Sequence, residues 1–174
     1  MIKTIEGNLF DSNANFIVHQ VNCQSVMGSG VALQVKERYP HVYTEYLKFL
    51  RHHQKKKSNP LGLAQFVPVD VWALGMVDTI LNRRIEPYDA SYQYIVNLFG
   101  QDTYGDGLHT DLKAFEKAMR IIMEHAKAIG ATVAMPYNIA SCRGGADWKD
   151  VYRIIESIFA SSGVDVEIYR YDMG

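Results

Sequence analysis

Phosphate binding is the first chemistry these residues suggest. Phe16-Ile-Val-His-Gln-Val-Asn22 is a run rich in β-branched residues. Cys23-Gln-Ser-Val-Met-Gly-Ser-Gly30 follows as a loop with two closely spaced glycines, and Val31-Ala-Leu-Gln-Val-Lys-Glu-Arg38 reads as a helix. That order puts free backbone N–H groups and the positive end of a helix dipole at the carboxyl end of a buried strand, where phosphate or pyrophosphate binds. Gly28 and Gly30 let the backbone approach oxygens with no Cβ in the way. Two familiar phosphate loops are excluded. Leu33 stands where a dinucleotide fingerprint needs a third glycine, and no Gly-Lys-Ser/Thr is present. A tight strand-to-helix turn explains Gly-Ser-Gly equally well, so both readings stay open.

Two further loops follow strands of the same character. Gly100–Gly107 follows Tyr94–Phe99, and Pro136–Ala146 follows Ala131–Met135 with Gly144-Gly145 directly before a helix, a second candidate oxyanion site. In α/β folds ligands bind outside the carboxyl ends of central strands, so the two glycine loops facing each other could hold the two phosphates of an ADP-like group. His19 could be a general acid or base or a phosphate clamp, or a core histidine bonded to backbone. Asp102 could orient a water against a phosphate or simply form a turn beside Gly100 and Gly105. His109 is expected to precede its helix as a solvated residue. Cys23 and Cys142 each sit in a ligand loop and are expected to be small buried thiols. The six histidines show no metal spacing, so neither a metal nor a cofactor is expected.

The elements that must position these loops alternate. Strands are expected at Met1–Ile5, Phe16–Val21, Ala64–Val69, Tyr94–Phe99, Ala131–Met135 and Val164–Tyr169. Helices are expected at Val31–Tyr39, His41–Gln54 and Thr110–Ile129, with a break at Tyr39-Pro40 and Gly130 as C-cap. A further helix should run from Asp147 to about Ser161, with Trp148 packing it. Residues 70–93 resist assignment, and Asn82-Arg-Arg-Ile-Glu-Pro87 reads as a loop or insertion. Arg51-His-His-Gln-Lys-Lys-Lys57 reads as a solvated helix end, since no aromatics interleave the charges. Strands alternating with helices indicate one three-layer α/β domain spanning 1–174.

Composition narrows the partners. With 174 residues and a net charge of −1, nothing global draws the chain to nucleic acid or a membrane, so affinity for a phosphorylated ligand must be local. No apolar run is long enough to span a bilayer, and the first residues lack a signal peptide's apolar stretch. Two cysteines make no disulfide framework, which fits a cytoplasmic protein.

Five segments carry a resemblance: Glu6-Gly-Asn-Leu-Phe10, Val18-His-Gln-Val-Asn-Cys23, Met27-Gly-Ser-Gly-Val-Ala32, Asn97-Leu-Phe-Gly-Gln101 and Met135-Pro-Tyr-Asn-Ile139, with Trp148. In order and spacing the chain resembles the macrodomain family, over nearly its whole length. It is most similar to the branch holding ADP-ribose-1″-phosphate phosphatases and enzymes that remove ADP-ribose from glutamate or nucleic-acid bases. The resemblance implies an α/β/α fold around a mixed, mostly parallel sheet, with an ADP-ribose cleft across its top. Asn8, with Leu9, would meet adenine. Asn22, Ser25, Met27, Gly28, Ser29, Gly30 and Val31 would cover the distal ribose. Pro136, Ile139, Ala140, Ser141, Cys142, Arg143 and Gly144 would cradle the pyrophosphate. His19 and Asp102 would be the catalytic pair.

Departures from the family pattern bear on activity. Asn8 replaces a common aspartate, and Ala140 and Cys142 stand where the family has glycines. Leu98-Phe99-Gly100 stands where the branches that cleave glutamate or base linkages carry a lysine, so those activities are disfavoured. The expected function is hydrolysis of a small ADP-ribose derivative such as ADP-ribose 1″-phosphate to ADP-ribose and phosphate. The alternatives are a non-catalytic ADP-ribose reader, a de-ADP-ribosylating hydrolase, or a scaffold whose cleft has lost its ligand.

Overall fold

Two runs dominate the middle of the sheet because both of their faces are covered. Phe16–Val21 and Tyr94–Phe99 are buried almost throughout, as parallel strands lying between helices must be. The computed structural model describes residues 1–84 and 90–171. In chain order its elements are β1 (Ile2–Glu6), β2 (Phe16–Val21), α1 (Gly30–Arg38), α2 (Pro40–Lys56), β3 (Ala64–Pro68), β4 (Val77–Asp78), β5 (Arg83–Arg84), β6 (Tyr94–Phe99), α3 (Leu112–Ile129), β7 (Val133–Pro136), α4 (Trp148–Phe159) and β8 (Val166–Arg170). The main sheet runs β1-β8-β7-β2-β6-β3, parallel except for β3, which is antiparallel to β6.

The period-2 alternation of β2 divides the core. Phe16 and Val18 pack with Phe115, Ile122, Val151, Ile155 and Phe159 of α3 and α4. Ile17 packs with Val35 and Val42, and Val21 with Tyr46 and Phe49, all of α1 and α2 on the opposite face. The chain is therefore the three-layer α/β/α domain with a mixed, mostly parallel sheet. β2 and β7 are neighbours, yet β2 leads into α1 on one face and β7 into α4 on the other. Their carboxyl ends must separate there, and the switch of direction opens a crevice.

Caps fall where local chemistry places them. Asp111 accepts from the N–H groups of Lys113 and Ala114 at 2.9 and 3.0 Å, and Gly130 closes α3 in the left-handed conformation at φ 68°. The observed α3 begins at Leu112 because Thr110 is instead held in a bridge to Gln101. Pro40 is the first residue of α2, so the chain breaks at Tyr39 and restarts.

The stretch expected to be irregular has structure. A 3-10 turn covers Val71–Met76, and β4 and β5 form a short antiparallel hairpin. Asn82 leaves a positive-φ turn to bind the open edge of β3, donating to the Ala64 carbonyl at 2.6 Å and accepting from the Phe66 N–H at 3.3 Å. A side-chain amide there mimics a partner strand on the sheet's exposed border. Ile85, Glu86 and Pro87 of the expected insertion lie outside the described residues. Among the described residues no helix is long and apolar enough to cross a membrane.

Candidate functional site

At the switch point lies a cleft of about 520 Å³. The loop after β2 forms one wall, the loop after β7 the other, and the ends of those strands the floor. The first loop is shaped by Asn22. Its Oδ1 accepts from the N–H groups of Gln24 (2.9 Å) and Val26 (3.4 Å) and from the Tyr46 hydroxyl (3.0 Å), while its Nδ2 donates to the Val26 carbonyl (2.8 Å). The loop ends at Gly30, whose φ of 58° favours glycine, and α1 begins there. Ser29 offers α1 no side-chain cap and its first turn has no acid, so the amides at this helix start keep the partial positive charge of an unmet N-terminus.

The second wall is built differently. Asn138 and Ala140 both adopt left-handed backbone, at φ 61° and 65°, which costs an L-residue about 1–2 kcal/mol. The loop is pinned from below. Thr110 Oγ1 donates to the Ala140 carbonyl at 2.8 Å and itself accepts from Gln20 Nε2 at 2.9 Å. Arg143 leans across the cleft, its Cγ 3.9 Å from where a Cβ on Gly30 would stand. Among the described residues that line the cleft, Arg143 is the sole permanent cation and none is a carboxylate. An arginine and an unmet helix start without a nearby acid suit an anionic ligand.

His19 borders the floor. It is fully buried, its Nε2 lies 2.7 Å from Asn97 Oδ1, and its Nδ1 has no partner among the described residues. Burial lowers its pKa to about 4 against a weaker upward pull from Asn97, so the ring is neutral near pH 7. In the ligand-free protein the ring is therefore a neutral imidazole that can accept or relay a proton, and not a preformed cation.

The structure brings His19, Asn22, Gly28, Ser29, Gly30, Val31, Pro136, Ile139, Ala140, Cys142, Arg143 and Gly144 to one cleft. Asp102 is placed elsewhere. It faces a neighbouring hollow beside Gln24, Arg51 and Lys57, accepting from Gln24 Nε2 at 3.2 Å, because its loop turns away after pairing with Cys23. Asp102 does not line the cleft that His19 borders, so the structure does not bring the expected pair together there. Ser25 is exposed and borders the same hollow. Leu9 and Met27 are core residues, Ser141 does not line the cleft, and Asn8 spends its Oδ1 on the Phe10 N–H at 3.0 Å.

Two more expectations are corrected. Gly144-Gly145 does not stand directly at a helix start: α4 begins at Trp148 and Asp147 caps it. Both glycines exist for packing, since a Cβ on Gly144 would strike Thr110 and the Ala140 carbonyl, and one on Gly145 would strike the Gly107 carbonyl. The thiols are not both buried. Cys142 is exposed, whereas Cys23 is half-buried and its pKa is pushed up to about 12 by burial and then by the Asp102 charge. His109 precedes α3 as expected, in an exposed loop where its ring pairs with Thr103 Oγ1 (2.8 Å) and the Asp106 carbonyl (3.0 Å).

Sequence reasoning missed Gln20, Gln101, Tyr104, Tyr137 and Asn138, all of which line the cleft. Gln20 had a signal. A polar residue between Val18 and Val21 in a strand covered on both faces must have a partner, and it has two, Gln101 Oε1 at 2.7 Å and Thr110. Trp148 packs between Tyr137 and Tyr152, with ring centres 4.8 and 5.8 Å away.

No family model matches the chain. Among curated proteins it is 38% identical over 194 residues to the ADP-ribose 1″-phosphate phosphatase of Aspergillus oryzae, covering 97% of this chain and 92% of that protein. It is 29% identical over 170 residues to the DNA ADP-ribosyl glycohydrolase of Mycobacterium tuberculosis, covering 97% of this chain. It spans only 42% of the length of that relative. Among solved structures, the macrodomain of Mycobacterium tuberculosis DarG superposes with a TM-score of 0.72 at 25% identity, over 97% of each chain. A macrodomain protein from Streptomyces coelicolor superposes with a TM-score of 0.71 at 23% identity, over the whole of each chain.

Proposed function

The chain belongs to the macrodomain family, and on that premise we propose that its cleft binds ADP-ribose and hydrolyses a small derivative such as ADP-ribose 1″-phosphate. The observation that carries this reading is the cleft at the β2/β7 switch point, lined by Arg143 and an uncapped helix start and free of carboxylates. A dianionic pyrophosphate would lie between Arg143 and the amides of the second loop. The distal ribose and its phosphate would lie against Gly28–Gly30. Similarity to the Aspergillus phosphatase over nearly its full length supports the choice of substrate. Catalysis would rest on positioning the phosphate against these amides, with His19 as the group able to accept a proton.

A second reading is favoured by the similarity to DNA ADP-ribosyl glycohydrolases. Against it stand Leu98 and Phe99, fully buried at the end of β6, and Gly100 after them, which leave no lysine to assist departure of a base or glutamate. A cytoplasmic location belongs to the same proposal, supported by the two unpaired cysteines.

Calorimetry with ADP-ribose, followed by a phosphate-release assay on the 1″-phosphate, tests the proposal. Micromolar affinity, about 8 kcal/mol, and phosphate release are expected. The absence of both heat and a thermal shift at millimolar ADP-ribose would refute binding. Binding without phosphate release would leave a reader module. Rapid release of ADP-ribose from modified DNA would select the second reading.

A further inference from the structure

A buried relay of three side chains ends at His19. The Glu45 carbonyl oxygen, in the middle of α2, can only accept, so the atom facing it at 2.9 Å is Gln65 Nε2, a donor. That turns Gln65 Oε1 toward Asn97, and an amide oxygen also only accepts. Asn97 Nδ2 therefore donates to it at 3.0 Å, and Asn97 Oδ1 turns toward the imidazole. The ring nitrogen 2.7 Å away must then carry the hydrogen, which makes His19 the Nε2–H tautomer with a bare lone pair on Nδ1. The polarity of the whole line is set by one backbone carbonyl, which has no second orientation. β2, β6 and β3 hold the line in place, since His19 is paired with Asn97 and Asn97 with Gln65 in the sheet register.

Nδ1 is buried and has no partner among the described residues, although His19 borders the floor of the cleft. A buried acceptor without a donor is costly unless something else supplies the hydrogen. Among the described residues no side chain supplies that hydrogen.

We propose that Gln65 and Asn97 are positioning residues that fix His19 as a neutral acceptor, and that its Nδ1 takes a hydrogen bond from a ribose hydroxyl of the bound ligand or from a water held beside it. Neither Gln65 nor Asn97 lines the cleft, and both are fully buried, so they act through His19 and not on the ligand. The inference rests on the ADP-ribose reading for the identity of the donor, but the tautomer does not depend on it.

Nitrogen-15 resonances of the His19 ring in the ligand-free protein at neutral pH read the tautomer directly. A protonated Nε2 and an unprotonated Nδ1 are expected, with ADP-ribose moving the Nδ1 resonance toward its hydrogen-bonded position. An Nδ1–H tautomer or an imidazolium overturns the relay. An Nδ1 resonance unmoved by saturating ADP-ribose overturns the ligand contact. Absence of ADP-ribose binding by calorimetry overturns the functional reading instead, and is distinguishable because the tautomer is read without ligand. In Gln65→Met the line loses its anchor. The ring should then sample both tautomers and ADP-ribose affinity should fall about tenfold. An unchanged ring spectrum with unchanged affinity in that variant overturns the positioning role.

Discussion

Acid should destabilise this protein through His19, and the size of the effect follows from its burial. In the folded chain the ring has a pKa of about 4, against 6.5 for an ordinary histidine, with desolvation as the main cause and the Asn97 hydrogen bond opposing it. Between those values the unfolded chain takes up a proton that the folded chain refuses. The contribution is therefore fully present above pH 6.5 and is lost as pH falls toward 4. At about 1.4 kcal/mol for each tenfold change, the gap is worth about 3 kcal/mol, a large share of a typical domain's 5–15 kcal/mol. Urea unfolding of the wild type and of His19→Gln from pH 4 to 8 isolates this contribution. Glutamine keeps an N–H to offer Asn97 and does not titrate. His53, also lowered by burial and by His52, and Glu167, lowered by hydrogen bonds from Lys3, Tyr169 and Ser12, contribute to both proteins and cancel in the difference. The difference should be flat above pH 6.5 and then fall by up to about 1.4 kcal/mol per pH unit on going down to pH 4. A difference that stays flat down to pH 4 would mean that the folded ring protonates like a free one, and the buried-neutral account of His19 would be wrong.

Gly30→Glu should abolish ADP-ribose binding in calorimetry while leaving a folded protein. It places a carboxylate before the uncapped start of α1 and beside Arg143, and its φ of 58° adds strain of about 1–2 kcal/mol; retained micromolar binding would contradict this placement of the phosphates. Ala140→Gly should raise the melting temperature slightly. Relief of about 1–2 kcal/mol at φ 65° exceeds the roughly 0.5–1 kcal/mol that glycine adds to unfolded-chain entropy, and a clear fall in melting temperature would refute the strain. With an alkylating reagent, mass spectrometry should find Cys142 modified well before Cys23, because Cys142 is exposed and the Cys23 thiol is pushed up to about 12. ADP-ribose should protect Cys142, and faster labelling of Cys23 would count against the loop geometry.

Local order in the chain fixes much of this molecule. β2 and β6 are readable to the residue because a continuous apolar run must be covered on both faces. Asp111, Gly130 and the Tyr39-Pro40 break are readable because capping and proline sterics act within a few residues. The glycines at the start of α1 mark a candidate anion site for the same reason. Position relative to distant segments is another matter. That Asp102 turns into the neighbouring hollow, that Asn22 spends its carboxamide on its own loop and Tyr46, and that Gly144 and Gly145 serve loop packing all depend on which surfaces meet after folding. The tautomer of His19 is decided by Asn97 and Gln65, which lie 78 and 46 positions further along the chain and are brought to it by pairing of β2 with β6 and of β6 with β3. Hydrogen bonds of that kind carry no sequence period. Their partners are selected by sheet register, which the whole core sets at once, so only the tertiary structure could assign them.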